Sequence, residues 1–211
     1  MTEAHDRPPA PVPARPTIRG LAAAVQDCRA CDLWEPATAP VMGEGPRKAR
    51  LMLVGEQPGD REDRAGHVFV GPAGKVLDDA LERVGIDRDA VYLTNIVKHF
   101  RYRTRGKRRI HQAPDRRQVN ACLPWLRAEM KMVAPDALVL LGAVAAQGLL
   151  GSQIRIGRDR GRPIDSDLAE LVMVTTHPSA VLRAGDYSDR RAAMDAFVAD
   201  LERVVSWLGQ R

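Results

Sequence analysis

The sequence is poor in cysteine, has no long apolar run and shows no internal repeat. Three cysteines in 211 residues cannot build the disulfide framework of a small secreted protein. The longest apolar run, Ala137 to Ala146 with one glycine, covers ten residues, about half the roughly 20 that a membrane-spanning helix needs. The N-terminus has no apolar stretch of the kind a secretory signal carries, so a cytoplasmic protein is expected. The glycine-rich segments match neither a dinucleotide fingerprint nor a Walker loop, which weakens a nucleotide-binding reading. What is present is ordinary for a globular chain: 23.2 kDa, 45% hydrophobic and 28% charged residues, enough for one domain with a tail. Nothing points to oligomerisation, and a monomer is expected.

Charge is unevenly placed. The chain carries +5 overall, yet the window Lys98–Arg117 holds nine basic residues against the single acid Asp115, a local charge of +8 that leaves the rest at −3. A concentrated positive segment on a near-neutral body suits a polyanion docking at one place. A solvated loop that keeps the protein soluble is the plainer reading of the same feature.

Residues 1–16 contain five of the 15 prolines and almost no large apolar groups, which predicts a disordered leader. Residues 17–211 then form a single domain. From Thr17 the pattern becomes helical, with Ile18, Leu21, Ala22 and Val25 at three- and four-residue steps, and this helix is expected to run into Cys28-Arg-Ala-Cys31. Four short runs, Arg50–Val54, Val91–Thr94, Ala137–Leu141 and Leu171–Thr175, lack polar alternation, as strands covered on both faces do. Helical patterns lie between and after them: Pro72–Val84, Pro114–Met132, Ala143–Leu150 and Ser188–Leu208, the last presenting Ala192, Met194, Phe197, Leu201, Val204 and Val205 to the core. Strands alternating with helices predict an α/β three-layer sandwich around a central, mostly parallel four-stranded sheet. Ligands of such sheets bind beyond the carboxyl ends of the strands. That rule points to Gly55–Asp60, Asn95–His99 and His177–Arg183 as one crevice.

Several residues there could carry chemistry. Cys28 and Cys31 form a Cys-x-x-Cys pair, and with Cys122 and His99 they offer three thiolates and an imidazole, a donor set acceptable to zinc or to an iron–sulfur cluster. A buried Cys122 and a loop His99 would equally explain those two residues. Asn95 offers both a donor and an acceptor to a base edge. Phe69, in Gly66-His-Val-Phe-Val-Gly-Pro-Ala-Gly74, could stack on a base, although core packing is the commoner fate of a phenylalanine. Glu56 and His177 are single titratable groups at strand exits. Each alone reads as a structural residue; beside the basic segment they form a better signal together.

The string GEQPGDREDRAGHVFVGPAG, followed in order by TNIVKH, KRRIH and HPSAVLR, resembles the uracil-DNA glycosylase superfamily over about residues 17–208. It looks like the iron–sulfur (family 4) branch and, within it, the UdgX type, which Gln57, His99 and the Lys107–His111 motif match. The resemblance implies a 4Fe–4S cluster on Cys28, Cys31, His99 and Cys122. It implies that Glu56 and Gln57 belong to the uracil pocket, that Phe69 stacks on uracil and that Asn95 reads the uracil edge. His177 then faces a uracil carbonyl oxygen, and Ser179 and Arg183 belong to a DNA-inserting loop.

Lys107, Arg108 and Arg109 would hold phosphates of uracil-containing DNA, with single strands accepted. His111 matches the histidine that becomes joined to the sugar once uracil has left. Arg108 and Arg109 are expected to keep that imidazole neutral. The implied function is a uracil-DNA glycosylase that remains covalently bound to the abasic site, with no membrane partner. Two other readings stay open: a conventional family-4 enzyme that turns over, and a non-catalytic nucleic-acid-binding protein with a structural zinc site.

Overall fold

The structure, a computed structural model, describes residues 7–210. Its elements in chain order are α1 (Ile18–Ala24), β1 (Leu51–Gly55), α2 (Asp60–Ala65), α3 (Pro72–Arg83), β2 (Val91–Asn95), β3 (Tyr102–Arg105), β4 (Arg108–His111), α4 (Arg116–Val133), β5 (Ala137–Leu141), α5 (Ala143–Leu150), α6 (Ile156–Asp159), β6 (Leu171–Thr175), α7 (Ser179–Arg183) and α8 (Tyr187–Gly209). The four apolar runs become one parallel sheet of order β2-β1-β5-β6, and each strand is buried along its whole length.

These strands show no polar alternation because both faces are covered, yet their side chains still sort by parity. Met52, Val54, Leu138, Leu140, Val172 and Val174 pack with α1, α4 and α5 on one face. Leu51, Leu53, Val139, Leu141 and Met173 pack with α3, α7 and α8 on the other. The result is a three-layer α/β sandwich. Both sheet edges are blunted: Glu44 pairs with Leu93 beside β2, and Pro163 pairs with Met173 beside β6, so neither edge is left open for another strand.

Element boundaries hold with local differences. Helix α1 stops at Ala24 and continues as one 3-10 turn, Val25–Asp27, after which Cys28 is extended; the cysteine pair therefore sits in a loop rather than on the helix. Helix α4 begins at Arg116, capped by Asp115, whose carboxylate accepts from the Arg117 and Gln118 backbone N–H groups. On α8, Met194, Phe197, Leu201 and Val204 are buried as expected, but Ala192 is exposed and Asp200 takes a buried place on that face. Each large side chain buried there contributes about 1.5–3 kcal/mol. In the proline-rich leader, residues 7–16 carry no helix or strand, although Ala10 and Val12 pack against the core; residues 1–6 of that leader lie outside the described residues. Among the described residues, no helix is long and apolar enough to cross a membrane.

The basic segment differs most from a plain loop. Residues 102–111 form an antiparallel hairpin, β3–β4, pairing Tyr102 with His111 and Arg105 with Arg108. Gly106, at φ 59°, supplies the positive φ that its two-residue turn requires. Charged residues at most positions hid this hairpin from an apolar pattern. Its stiffness comes from stacking: the Phe100 and Tyr102 rings lie 5.1 Å apart, with the Arg109 guanidinium over both.

Candidate functional site

The exits of β1, β2 and β6 converge on a cavity of about 810 Å³, bordered by Glu56, Phe69, Asn95, His111 and His177 among others. Sequence reasoning placed Glu56, Asn95 and His177 at strand exits and Phe69 near them. The structure adds His111 from the hairpin side, so all five surround one space.

Phe69 is held in an unusual way. Its backbone has φ 52°, the left-handed region that costs a bulky residue energy. A side chain at position 74 would stand 1.7 Å from the Phe69 carbonyl oxygen, so Gly74 at the start of α3 leaves room for that turn. Gly55 serves the same end inside the cavity: a Cβ there would meet Asn95 Oδ1 at 2.4 Å and Phe69 Cζ at 2.8 Å. Without a Cβ at position 55, the Phe69 ring and the Asn95 amide pack close against the β1 exit, and both border the cavity. Glu62 supports this arrangement, its carboxylate accepting from the backbone N–H groups of Gly59 and Gly71.

His177 has a defined role for each nitrogen. Its Nδ1 accepts from the Ser179 backbone N–H at 3.2 Å and lies 2.8 Å from Ser179 Oγ. Arg183 donates to that same hydroxyl oxygen at 2.7 Å, which leaves the hydroxyl proton to point at the imidazole. This network assigns the ring proton to Nε2. Burial, aided by Arg183 and His111, holds the His177 pKa down at about 4, so the ring is a neutral donor near pH 7. Ser179 and Arg183 thus work on His177 itself, a task that sequence reasoning missed because it was seen only as part of a DNA-contacting loop.

Glu56 and His111 face each other, with Nε2 3.4 Å from Oε1. Burial pushes the Glu56 carboxyl up to about 7, against a smaller opposing effect of Arg183, and its Oε1 is buried without a hydrogen-bond partner. The His111 pKa is lowered by burial and then by Arg183. The expectation that Arg108 and Arg109 keep His111 neutral is corrected here: the causes are burial and a cation from α7.

Three members of the basic segment are spoken for. Lys98 is fully buried against Glu129 and is not available for phosphates. Arg109 pairs with Asp60 and Asp63 and donates to Thr38 Oγ1, so it clamps the hairpin to α2 instead of facing a ligand. Arg101 pairs with Asp115 at 3.5 Å and donates to the Ala113 carbonyl. The Gln57 amide is likewise committed, donating to the Arg101 and Gln112 carbonyls and accepting from the Arg101 N–H; it borders the cavity as an anchor of the hairpin. Lys107 and Arg108 stay exposed at the hairpin turn. Asp60 and Asp63 are the partners of Arg109. Leu182, exposed at the cavity rim, carried no signal in the sequence.

Cys28, Cys31 and Cys122 are buried in one core cluster, and His99 is 4% exposed. Burial pushes the Cys31 thiol up to about 11 and the Cys122 thiol up to about 12, and holds His99 down at about 4. The Trp125 indole N–H points at Cys28 Sγ at 3.3 Å, and the Lys98 backbone N–H at Cys122 Sγ at 3.2 Å. Such donors suit the electron-rich thiolate form in which cysteine binds metal. Among the described residues, no three His, Cys, Asp or Glu side chains gather as a single metal ion requires. By chemistry, three thiolates and an imidazole are a donor set that a thiolate-ligated metal centre accepts.

An aromatic ring, an amide and a neutral donor imidazole border one cavity of an α/β protein, groups able to stack on and hydrogen-bond to a planar heterocycle, beside a cationic hairpin. The comparisons with known proteins agree with that reading. The model of the uracil DNA glycosylase superfamily matches residues 42–202, and the chain belongs to that superfamily. A type-4 uracil-DNA glycosylase of Thermotoga maritima is 36% identical over 185 residues, covering 87% of this chain and 91% of the relative. One from Pyrobaculum aerophilum is 35% identical over 166 residues, covering 75% and 81%. A DNA polymerase of Bacillus phage SP01 is 32% identical over 170 residues, which cover 80% of this chain but 17% of the polymerase.

Proposed function

We propose that this protein is a uracil-DNA glycosylase of the UdgX type, which excises uracil and stays joined to the abasic sugar through His111. The observation that carries the reading is the facing of His111 Nε2 and Glu56 Oε1, 3.4 Å apart, on a cavity shared with Phe69, Asn95 and His177.

Uracil must leave the base stack, or be presented on a single strand, to enter the cavity. Phosphate contacts from the exposed Lys107 and Arg108 help to offset that cost by releasing counterions. Phe69 stacks on the flipped base. Asn95 accepts from its ring N–H and donates to the adjacent carbonyl, whereas cytosine presents an amino group there and leaves a polar atom unpaired, at about 1–3 kcal/mol. As the C1′–N1 bond breaks, the electron pair passes to the base, and His177 Nε2–H donates to the carbonyl oxygen where negative charge gathers. One such donor is worth roughly 3–4 kcal/mol in other enzymes. The Glu56 carboxylate faces the cationic sugar as it forms, and His111, as the Nδ1–H tautomer, bonds to C1′ through the lone pair of its unprotonated Nε2. Charge balances: the neutral imidazole becomes an alkyl-imidazolium, which sheds its Nδ1 proton to water, and uracil leaves as the anion. The alkyl-imidazole is a poor leaving group, so the adduct persists.

Cys28, Cys31, His99 and Cys122 would hold a 4Fe–4S cluster. Bound there, it supplies a cross-link between the loop after α1, the exit of β2 and helix α4. It takes no part in the steps above.

The test is a denaturing gel of the protein mixed with uracil-containing single-stranded DNA. A heat- and SDS-resistant shifted band is expected. In His111→Ser, water replaces the imidazole, and free abasic product with turnover is expected. Free abasic DNA exceeding one equivalent with the unaltered protein selects a conventional type-4 activity instead; binding with no release of uracil overturns the glycosylase reading altogether.

A further inference from the structure

Lys98 and Glu129 form an ion pair with no exposed side-chain surface, at the exit of β2 but outside the residues that border the cavity. A buried pair of this kind is costly unless every polar atom is satisfied, and here the satisfaction is unusually complete. The Lys98 ammonium spends its three protons on Glu129 Oε2 at 2.5 Å, Thr94 Oγ1 at 2.8 Å and the Asn95 backbone carbonyl at 2.7 Å. The Glu129 carboxylate also accepts from the Gly43 N–H at 2.7 Å, from Tyr92 Oη and from Thr94 Oγ1. Gly43 leaves the space that this carboxylate fills, since a Cβ there would lie 2.5 Å from Glu129 Oε1.

The partners are not scattered. Tyr92, Thr94 and Asn95 all belong to β2, and the ammonium grips the last peptide of that strand. The matched register ends with Gly55 opposite Asn95 at the sheet's carboxyl edge, and the Ile96 and Val97 N–H groups donate onward to the Gly55 and Glu56 carbonyls. The Asn95 backbone carbonyl therefore needs a donor from outside the sheet, and Lys98 supplies it.

We propose that Lys98, neutralised by Glu129, is a positioning residue for base recognition: its ammonium fixes the Asn95 peptide so that the Asn95 amide meets the edge of the base at the correct angle. The basic residue that begins the cationic segment acts on specificity from behind the strand and contributes nothing to phosphate binding. This rests on the reading of the cavity as a uracil pocket.

The experiment compares four full-length proteins: unaltered, Glu129→Gln, Lys98→Met/Glu129→Gln and Lys98→Arg. Three quantities are read: single-turnover release of uracil, inhibition by free uracil, and binding of uracil-free single-stranded DNA, with thermal melting as the control for folding. In the double variant the glutamine introduced at position 129 can still accept from the Gly43 N–H and donate to Thr94, so the fold is retained while the Asn95 carbonyl is left without its donor. Release of uracil and affinity for free uracil are expected to fall together by roughly 10- to 100-fold, with binding of uracil-free DNA unchanged. Glu129→Gln leaves the ammonium on the Asn95 carbonyl but without its counterion: a lower melting temperature is expected, with release of uracil by the folded protein within about threefold of the unaltered protein. Should the double variant fail to fold, Lys98→Arg decides: it keeps the charge for Glu129 but misplaces the donor, and the same paired loss is expected. A folded variant lacking the Lys98 ammonium that retains both uracil release and inhibition by uracil overturns the proposal. Failure of the unaltered protein to release uracil overturns the pocket reading instead, so the two failures are distinct.

Discussion

At the scale of single residues, the site separates two titratable roles by burial. Glu56 sits at about 7 and His177 at about 4. The first gains its carboxylate only as pH rises past neutrality; the second is a neutral donor across that range. If the Glu56 carboxylate steadies the sugar cation, adduct formation climbs with pH through about 7 and then levels. Glu56→Gln is expected to slow it by about 100-fold and to flatten that rise, as single-turnover gels across neutrality would record. The same shifts act on stability with opposite signs. Glu56, raised from 4.5, stabilises the fold below 4.5, and that contribution is lost as pH rises to about 7. His177, lowered from 6.5, contributes above 6.5, and that contribution is lost as pH falls to about 4.

At the scale of elements, the hairpin β3–β4 and helix α2 act as a unit. Arg109 is the bolt, held by Asp60 and by Asp63, the latter 1% exposed. Arg109→Ala strands the Asp63 carboxylate in the interior and is expected to cost about 3–5 kcal/mol, visible as a lower melting temperature. The hairpin carries His111, whereas Glu56, Asn95 and His177 ride on strand exits. Loosening it should therefore reduce the ratio of covalent adduct to free abasic DNA more than it slows release of uracil, and both products can be counted on one gel. Helix α3 is tied to the pocket in another way: its first turn contains Gly74, which lies against Phe69.

For the whole molecule, the sheet brings three loops distant in sequence to one edge, and the cationic hairpin flanks them. The basic segment 98–117 has fewer free charges than the sequence suggests, because Lys98, Arg101 and Arg109 are paired within the protein. Removing the exposed pair, Lys107→Ala/Arg108→Ala, should weaken single-stranded DNA binding without regard to sequence. The slope of log affinity against log salt should fall by about 0.7 for each phosphate that is no longer neutralised. A titration at several salt concentrations checks this. A slope equal to that of the unaltered protein would mean that the hairpin turn does not touch phosphates.

The order of the four sheet strands and of the longer helices was readable because full burial leaves an unmistakable mark: unbroken apolar runs of strand length, separated by amphipathic helices; the charged hairpin β3–β4 and the short helices α2, α6 and α7 leave no such mark. The strand-exit residues Glu56, Asn95 and His177 were readable for the same reason, since a parallel sheet delivers its loops to one edge. Local pattern could not say which charges are free, which face of α8 hides Asp200, or that Gln57 and Arg109 brace a hairpin. Each of these depends on partners far along the chain: Glu129 for Lys98, Asp60 and Asp63 for Arg109, Thr175 for Asp200. A side chain's charge is a property of the sequence, but whether that charge meets solvent, ligand or a buried counterion depends on distance and burial, and only tertiary packing sets those.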